Sequence, residues 1–219
     1  MNNIQTIILL ALNEIKNYGP KTIIELYSNF RYLNDNLFDF PDFIEFLKSK
    51  NLNEEFIEIF NQKVVYIQNE LSKDKVKSIK IISFFDDEYP IQLTLLKNPP
   101  LFLFCRGNTI LLKNMNNIAI VGTRGNSELG AKIAAKTAYS FVDYKYTIVS
   151  GLARGIDTAA HIGTLRNNGN TIAILTDLNK IYPSENMSLA NEILHKNGLL
   201  LSEIAPWKNI YRNAFVDRD

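Results

Sequence analysis

The chain has 219 residues, 46% of them apolar, and a formal net charge of +1 from 24 basic and 23 acidic side chains. This balance excludes a globally basic surface, so a nucleic-acid site would have to be a local patch. The single cysteine, Cys105, excludes an internal disulfide and a cysteine-based metal site. The apolar run at residues 7–12 is too short to span a membrane. We therefore expect a soluble, cytoplasmic protein.

Residues 1–78 show apolar side chains at helical spacing and are predicted to form an all-helical N-terminal module. Gly19-Pro20 breaks the first helix, and the two flanking helices resemble a degenerate helix-hairpin-helix. Asn17 stands where such hairpins usually carry their first glycine, which favours a structural module over a working DNA hairpin. The polar stretch 71–77 is predicted to be a linker.

Residues 79–117 change to a β-rich pattern. Runs at 79–85 and 101–105 read as strands, separated by a polar turn and the rigid pair Pro99-Pro100. We expect these strands to extend one edge of the main sheet.

Residues 118–149 read as a βαβ unit: a buried parallel strand at 118–121, a helix at 127–142 and a second buried strand at 147–149. Each strand passes into a glycine-bearing loop that opens a helix, where free N–H groups and the helix dipole attract anions. The two loops also carry Arg124 and Arg154. Together they indicate a ligand that bears phosphate.

Strands and helices then alternate to the end of the chain. Helices are predicted at 156–167 and 187–196, and strands at 171–175 and 199–201. The pattern predicts an α/β fold for residues 79–219, an extended Rossmann-like, doubly wound and mostly parallel sheet that binds ligands beyond the carboxyl ends of its strands. Because residues 202–219 supply no obvious partner strand, we expect strand 199–201 to form an exposed edge.

Four sequence stretches identify a family. They are D-D-E-Y-P with its continuation through residue 107, G-T-R-G-N-S-E-L-G at 122–130, S-G-L-A-R-G-I-D-T-A-A-H at 150–161, and I-Y-P-S-E-N at 181–186 with G-L-L-L-S-E at 198–203. In this order and spacing they resemble the bacterial DNA-processing protein A family (DprA, also called Smf). The resemblance implies a single-stranded-DNA-binding protein without established catalysis or a cofactor. It further implies protection of DNA taken up in natural transformation, loading of the recombinase RecA, and a homodimer.

The resemblance also implies a set of DNA phosphate-binding residues, carried over position by position. They are Gly122, Thr123, Arg124, Ser127, Ser150, Gly151, Arg154, Gly155, Asn179, Lys180 and Tyr182. The chain departs from the family at residues 215–219, where the family's sheet continues and this sequence stops. The domain is therefore predicted to be C-terminally incomplete relative to the family, either because the chain is a fragment or because it is a shortened protein. The resemblance implies that the family's dimer and RecA surfaces lie largely beyond that point.

Structural roles compete with these assignments. Arg124 could pair with Glu128 and Arg154 with Asp157, and Ser127 is expected to cap its helix as well as donate to phosphate. Ser150, Asp157 and His161 suggest a hydrolase triad, but the G-x-S-x-G elbow is missing.

Two other function classes stay open. One is an enzyme acting on a small nucleotide, like the phosphoribohydrolases that share this architecture, although their P-G-G-x-G-T-x-x-E signature and the dinucleotide turn G-x-G-x-x-G are both missing. The other is a folded interaction module that binds no nucleic acid.

Overall fold

The computed structural model describes residues 4–33 and 39–209. The departure from the family predicted at residues 215–219 lies outside this part of the chain. The described residues divide into two compact units. One takes in the described parts of 1–77 together with 83–85 and 92–101, and the other takes in 78–82, 86–91 and the described residues from 102 onward.

The first unit is built from helices, as the spacing of apolar residues predicts. Their bounds are α1 Ile4–Asn13, α2 Pro20–Leu33, α3 Phe40–Ser49, α4 Glu54–Ser72 and α5 Asp74–Lys77. Residues 71–77, predicted to be a linker, are helical and hold the end of α4 and all of α5. A Lys77–Asp74 ion pair of 2.7 Å and the buried Val76 stabilise that last turn.

Aromatic rings fill the core of the helical unit. Phe30 and Phe43 meet edge to face with centroids 4.9 Å apart, and Phe60 lies 5.5 Å from Phe43. All three side chains are fully buried. Such pairs combine large apolar area with favourable ring geometry. Between α1 and α2, Asn17 takes a φ of 71°, the left-handed conformation that glycine would otherwise supply.

The described residues from 78 to 209 form the sheet and its helices. The elements are β1 Lys80–Ser83, α6 Ile91–Thr94, β2 Phe102–Gly107, β3 Asn117–Ala119, α7 Glu128–Asp143, β4 Thr147–Ser150, α8 Ile156–Arg166, β5 Thr171–Ile174, α9 Met187–His195 and β6 Leu199–Ser202. Short 3₁₀ turns lie at Thr109–Lys113 and Ser184–Asn186.

The six strands lie in the order β1-β2-β6-β5-β4-β3. Strands β3 to β6 are parallel, and β2 runs antiparallel to β6. This confirms the predicted α/β class with its mostly parallel sheet, and the expectation that the strands of residues 79–117 extend the sheet.

Two strand positions differ from the prediction. Strand β6 is interior rather than an edge, because Leu201 pairs with Cys105 on one side and Ile174 on the other. Strand β3 is the last strand in the described sheet. Ala119 on β3 is exposed and Ile118 only half-buried, so the prediction of a fully buried strand here is wrong.

Helices α7, α8 and α9 share one face of the sheet, because each right-handed crossover from β3 to β6 steps in the same direction. Their core against the sheet includes the buried Ala138, Ile148 and Ala160. Both α7 and α8 therefore begin at the carboxyl edge of the parallel strands, where the predicted binding loops lie.

Candidate nucleic-acid interface

The loop at 120–127 joins β3 to α7 and lies largely in solvent. Ser127 caps α7, since its Oγ accepts a hydrogen bond of 3.1 Å from the Gly130 N–H. Thr123 Oγ1 accepts from the Gly125 N–H at 3.2 Å, which folds the turn back on itself. Gly122 is needed for space, because a Cβ there would lie 2.8 Å from Ile156 Cγ1.

The loop at 150–155 is held from within the protein. The buried carboxylate of Asp157 accepts hydrogen bonds from the N–H groups of Gly151 at 3.2 Å and Ala153 at 3.3 Å. Asn186 Nδ2 donates to the Leu152 carbonyl at 2.8 Å. These bonds fix Leu152 in the left-handed conformation, with φ 57°.

Of the predicted ligands on this loop, two are already engaged. The Ser150 hydroxyl is buried and donates to the Ile120 carbonyl at 2.7 Å, and the Gly151 N–H donates to the Asp157 carboxylate. Both residues shape the loop. Their predicted contact with phosphate stays a prediction.

Gly155 brings the two loops together. Its φ is 87° and its ψ −124°, a conformation that side chains strongly disfavour. A Cβ at this position would lie 2.6 Å from Asn126 Oδ1 and would overlap the Thr123 carbonyl. The neighbouring Ile156 N–H donates to that carbonyl at 3.4 Å. The 120–127 and 150–155 loops therefore form one surface.

The loop after β5 supplies Asn179, Lys180 and Tyr182, all exposed. It is positioned by Arg106 on β2, whose guanidinium donates to the Leu178 carbonyl at 2.7 Å and to Asn179 Oδ1 at 3.2 Å. Burial lowers the pKa of Arg106, while nearby Asp177 acts in the opposite direction. Sequence reasoning missed Arg106. Its one local signal is a lone cation directly after the apolar run 101–105.

The charged side chains at this edge differ in how they are partnered. Arg154 pairs with Glu185 and not with Asp157, and this hydrogen bond raises the pKa of Arg154 and lowers that of Glu185. Glu128 pairs with Lys132 at 2.6 Å, so it does not neutralise Arg124. Within residues 4–33 and 39–209, the side chains of Arg124 and Lys180 make no hydrogen bond or ion pair.

The side chains of the suggested hydrolase triad are each engaged with groups outside the triad. His161 Nδ1 lies 2.7 Å from Thr171 Oγ1, and that hydroxyl donates to the Ile148 carbonyl at 2.8 Å. The imidazole must therefore be the donor to Thr171. Complete burial lowers the pKa of His161 to about 4 and keeps the ring neutral. With Ser150 and Asp157 bound to backbone groups, these residues are structural.

The eleven predicted site residues lie at the carboxyl ends of β3, β4 and β5: Ser150 is the last residue of β4, and the other ten are on the loops that follow these strands. Eight are exposed: Gly122, Thr123, Arg124, Ser127, Arg154, Asn179, Lys180 and Tyr182. In the part of the chain that the structure covers, no group of three or more His, Cys, Asp or Glu side chains could hold a metal ion. No described helix is long and apolar enough to cross a membrane. The arrangement suits a polyanion that lies across the loops.

Two curated proteins are similar to this chain in sequence. Protein Smf of Synechocystis is 32% identical over 229 residues, covering 100% of this chain and 56% of that protein. The DNA processing protein DprA of Streptococcus pneumoniae is 37% identical over 162 residues, covering 74% and 56% respectively. The chain thus spans about half the length of these curated relatives.

Two solved structures are similar to this chain in fold and sequence. The X-ray structure of DprA from Streptococcus pneumoniae matches with a TM-score of 0.74 and 29% identity over 99% of this chain and 73% of that one. The DNA processing protein A of Helicobacter pylori, known for its single-stranded DNA binding mode, matches with a TM-score of 0.55 and 30% identity. That match covers 64% of this chain and 62% of that one. The family profile of DNA recombination-mediator protein A matches residues 80–219, more than half of the chain. The chain therefore belongs to the DNA recombination-mediator protein A family.

Proposed function

We propose that this chain binds single-stranded DNA through its phosphate backbone at the carboxyl edge of the parallel strands. The observation that carries the proposal is Arg124, an exposed guanidinium without a protein partner among the described residues, set in a glycine turn at the start of α7. Arginine binds phosphate in a bidentate manner, and the positive end of a helix dipole adds to the attraction. The single-stranded DNA binding mode of the Helicobacter pylori relative supports this proposal.

Some of the remaining predicted ligands contact the DNA in this proposal, and others act by shaping the loops. Lys180 is a second cation that has no side-chain partner among the described residues, and Tyr182 offers an exposed ring on which a base could stack. Thr123 and Ser127 can donate hydroxyl hydrogens to phosphate. Ser150, Gly151 and Gly155 act through the conformation of their loop, and Asn179 through its bond to Arg106.

The family resemblance extends the proposal beyond binding. It suggests that the protein works in the cytoplasm, protects incoming DNA in natural transformation, loads RecA onto it and forms a homodimer, with no catalytic step. An assay of RecA filament formation on single-stranded DNA coated by its binding protein tests the loading role. Failure of this chain to stimulate filaments would contradict RecA loading by residues 1–219 and leave DNA binding intact.

A nucleotide-acting enzyme, the alternative, is not favoured. The similar proteins are DNA processing proteins, and Ser150, Asp157 and His161 are each engaged in structural bonds.

Arg124→Gln tests the proposed function directly. It should weaken binding of an oligonucleotide about tenfold, equally for all base sequences, because phosphate contacts carry no base information. The plot of log K against log salt concentration has a negative slope, and this slope should become shallower by about 0.7, the value for one phosphate contact to a single strand. Fluorescence anisotropy across a salt series measures both, and Lys180→Ala should act in the same way but less.

The matched control is Lys113→Gln, an exposed cation on the 3₁₀ turn at Thr109–Lys113, which should change neither quantity. A loss of preference for one base with an unchanged salt slope would contradict the assignment of Arg124.

Glu185→Gln should strengthen binding. The Glu185 carboxylate holds the Arg154 guanidinium and repels phosphate, so its neutralisation releases a cation to the DNA. We expect a gain of about three- to tenfold at low salt that fades as salt rises. Comparing wild type, Glu185→Gln, Arg154→Gln and the double variant shows whether the gain depends on Arg154. A gain that persists in the double variant, or weaker binding by Glu185→Gln, would count against this role.

A further inference from the structure

A basic groove runs between α7 and α8, outside the loops described above. Its volume is about 440 Å³. Its floor consists of small side chains and backbone, because Gly163 on α8 packs directly on α7. A Cβ at Gly163 would lie 2.7 Å from the Cα of Ala135. The small residues let the helices approach closely and leave the longer side chains standing as walls.

The walls carry cations and one aromatic ring. Lys132, Lys136, Tyr139 and Arg166 line the groove and are exposed, and its lining includes no acidic side chain. Lys132 makes an exposed ion pair with Glu128, whereas Lys136 and Arg166 have no ion pair or side-chain hydrogen bond within the described residues. The groove therefore presents a local positive charge on a chain that is nearly neutral overall.

The groove begins where the proposed binding loops end. Helix α7 starts at its cap Ser127 and α8 starts just after Gly155, so both run away from the loop surface. At a rise of about 1.5 Å per residue, Lys132 and Lys136 lie about 7.5 and 13.5 Å along α7 from Ser127. Tyr139 and Arg166 stand at the far end. The groove cations thus lie on α7 and α8 beyond the loop that carries Arg124.

We propose that the α7–α8 groove is a second contact surface for single-stranded DNA, which carries the strand from the loops along both helices. This inference rests on the proposed function of the loops. Proteins that bind single-stranded nucleic acid without sequence preference combine two elements: a positive groove that follows the phosphate backbone and aromatic rings on which bases stack. An acidic polypeptide would also match the charge. The direct continuation from the loop surface and the exposed Tyr139 ring favour nucleic acid.

The test compares two lengths of oligothymidine on the full chain. A strand of about six nucleotides should fill the loops alone, and one of about twenty should also reach the groove. In the variant Lys136→Gln/Arg166→Gln, affinity for the short strand should stay at the wild-type value. Affinity for the long strand should fall roughly tenfold, with a salt slope reduced by about 1.4, or about 0.7 per phosphate contact. Lys113→Gln is the control for loss of charge.

A second measurement places the strand. Photo-crosslinking with a long oligonucleotide that carries 5-iodouracil should label Tyr139, and a short one should not. The inference would be overturned if the double variant lost the same affinity for both strand lengths, or lost none for the long strand. It would also be overturned if the long oligonucleotide did not label Tyr139. Binding of polyglutamate that depends on Lys136 and Arg166 without such a label would assign the groove to an acidic polypeptide. If the wild type bound neither oligonucleotide, the proposed function of the loops would fail first.

Discussion

Replacing Gly155 by alanine is expected to remove most single-stranded DNA binding while leaving the helical content of the chain unchanged. An alanine at φ 87° and ψ −124° is strained by about 1–3 kcal/mol. Its Cβ would also overlap the Thr123 carbonyl and lie 3.0 Å from the Cα of Arg124. The 120–127 loop must then move, and Arg124 moves with it. We expect a loss of affinity of at least about thirtyfold, or 2 kcal/mol.

Gly125→Ala is the matched control for this substitution. Gly125 lies on the 120–127 loop with no atom within 4 Å of the position its Cβ would take, and its φ is not in the left-handed region. It should bind DNA like the wild type. Anisotropy titration gives the affinities, and far-ultraviolet circular dichroism gives the helical content. If Gly155→Ala retained the affinity of Gly125→Ala, the two loops would not be the binding surface.

Gly163→Ala should have the largest effect on stability. The added Cβ would lie 2.7 Å from both the Cα and the carbonyl carbon of Ala135, and closer still to its oxygen. Because these are backbone atoms in the middle of α7, the two helices must separate. We expect the free energy of unfolding to fall by about 3 kcal/mol, at the upper end for overpacked cores. For a chain of this size, that lowers the Tm by about 6–12 °C.

Gly130→Ala provides the comparison for Gly163→Ala within α7. Its Cβ would meet Ser127 Oγ at 3.4 Å, an ordinary contact. Alanine favours helix over glycine by up to about 1 kcal/mol, so this variant should be as stable as the wild type or more so. Thermal unfolding followed by circular dichroism measures both variants. A Tm for Gly163→Ala within a degree or two of the Gly130→Ala value would show that α7 and α8 do not pack as closely as described.

The helices could be predicted because their signals are local. Ser127 before a run of helical spacing predicts the start of α7, and the structure places its cap at that residue. The position of β6 could not be predicted in this way. Its apolar residues show that it is buried, but nothing near residue 201 indicates that its neighbour is Cys105, far away in the sequence. Strand order depends on pairings of this kind.

The features of the site divide in the same way, into those with a local sequence signal and those that depend on distant residues. Glycines and arginines next to helix starts point to the 120–127 and 150–155 loops, because an anion site at a helix N-terminus is a local feature. The partners of the charged groups are distant. Glu185 is 31 residues from Arg154, and Asn179 is 73 residues from Arg106. Arg124 and Arg154 therefore look alike in the sequence, whereas in the structure Arg154 pairs with Glu185 and Arg124 has no partner in the part of the chain that is described.

The bonds that Asp157 and Asn186 make to the 150–155 loop also bear on the entropy of binding. Fixing the backbone of one residue costs about 1–2 kcal/mol at room temperature. In this loop the main chain from Gly151 to Ala153 is already fixed before any ligand arrives. That cost is part of folding, so under the proposed function the binding of DNA needs to order little more than side chains in this loop. Under the proposed function, a DNA strand therefore binds and leaves without this loop unfolding or refolding.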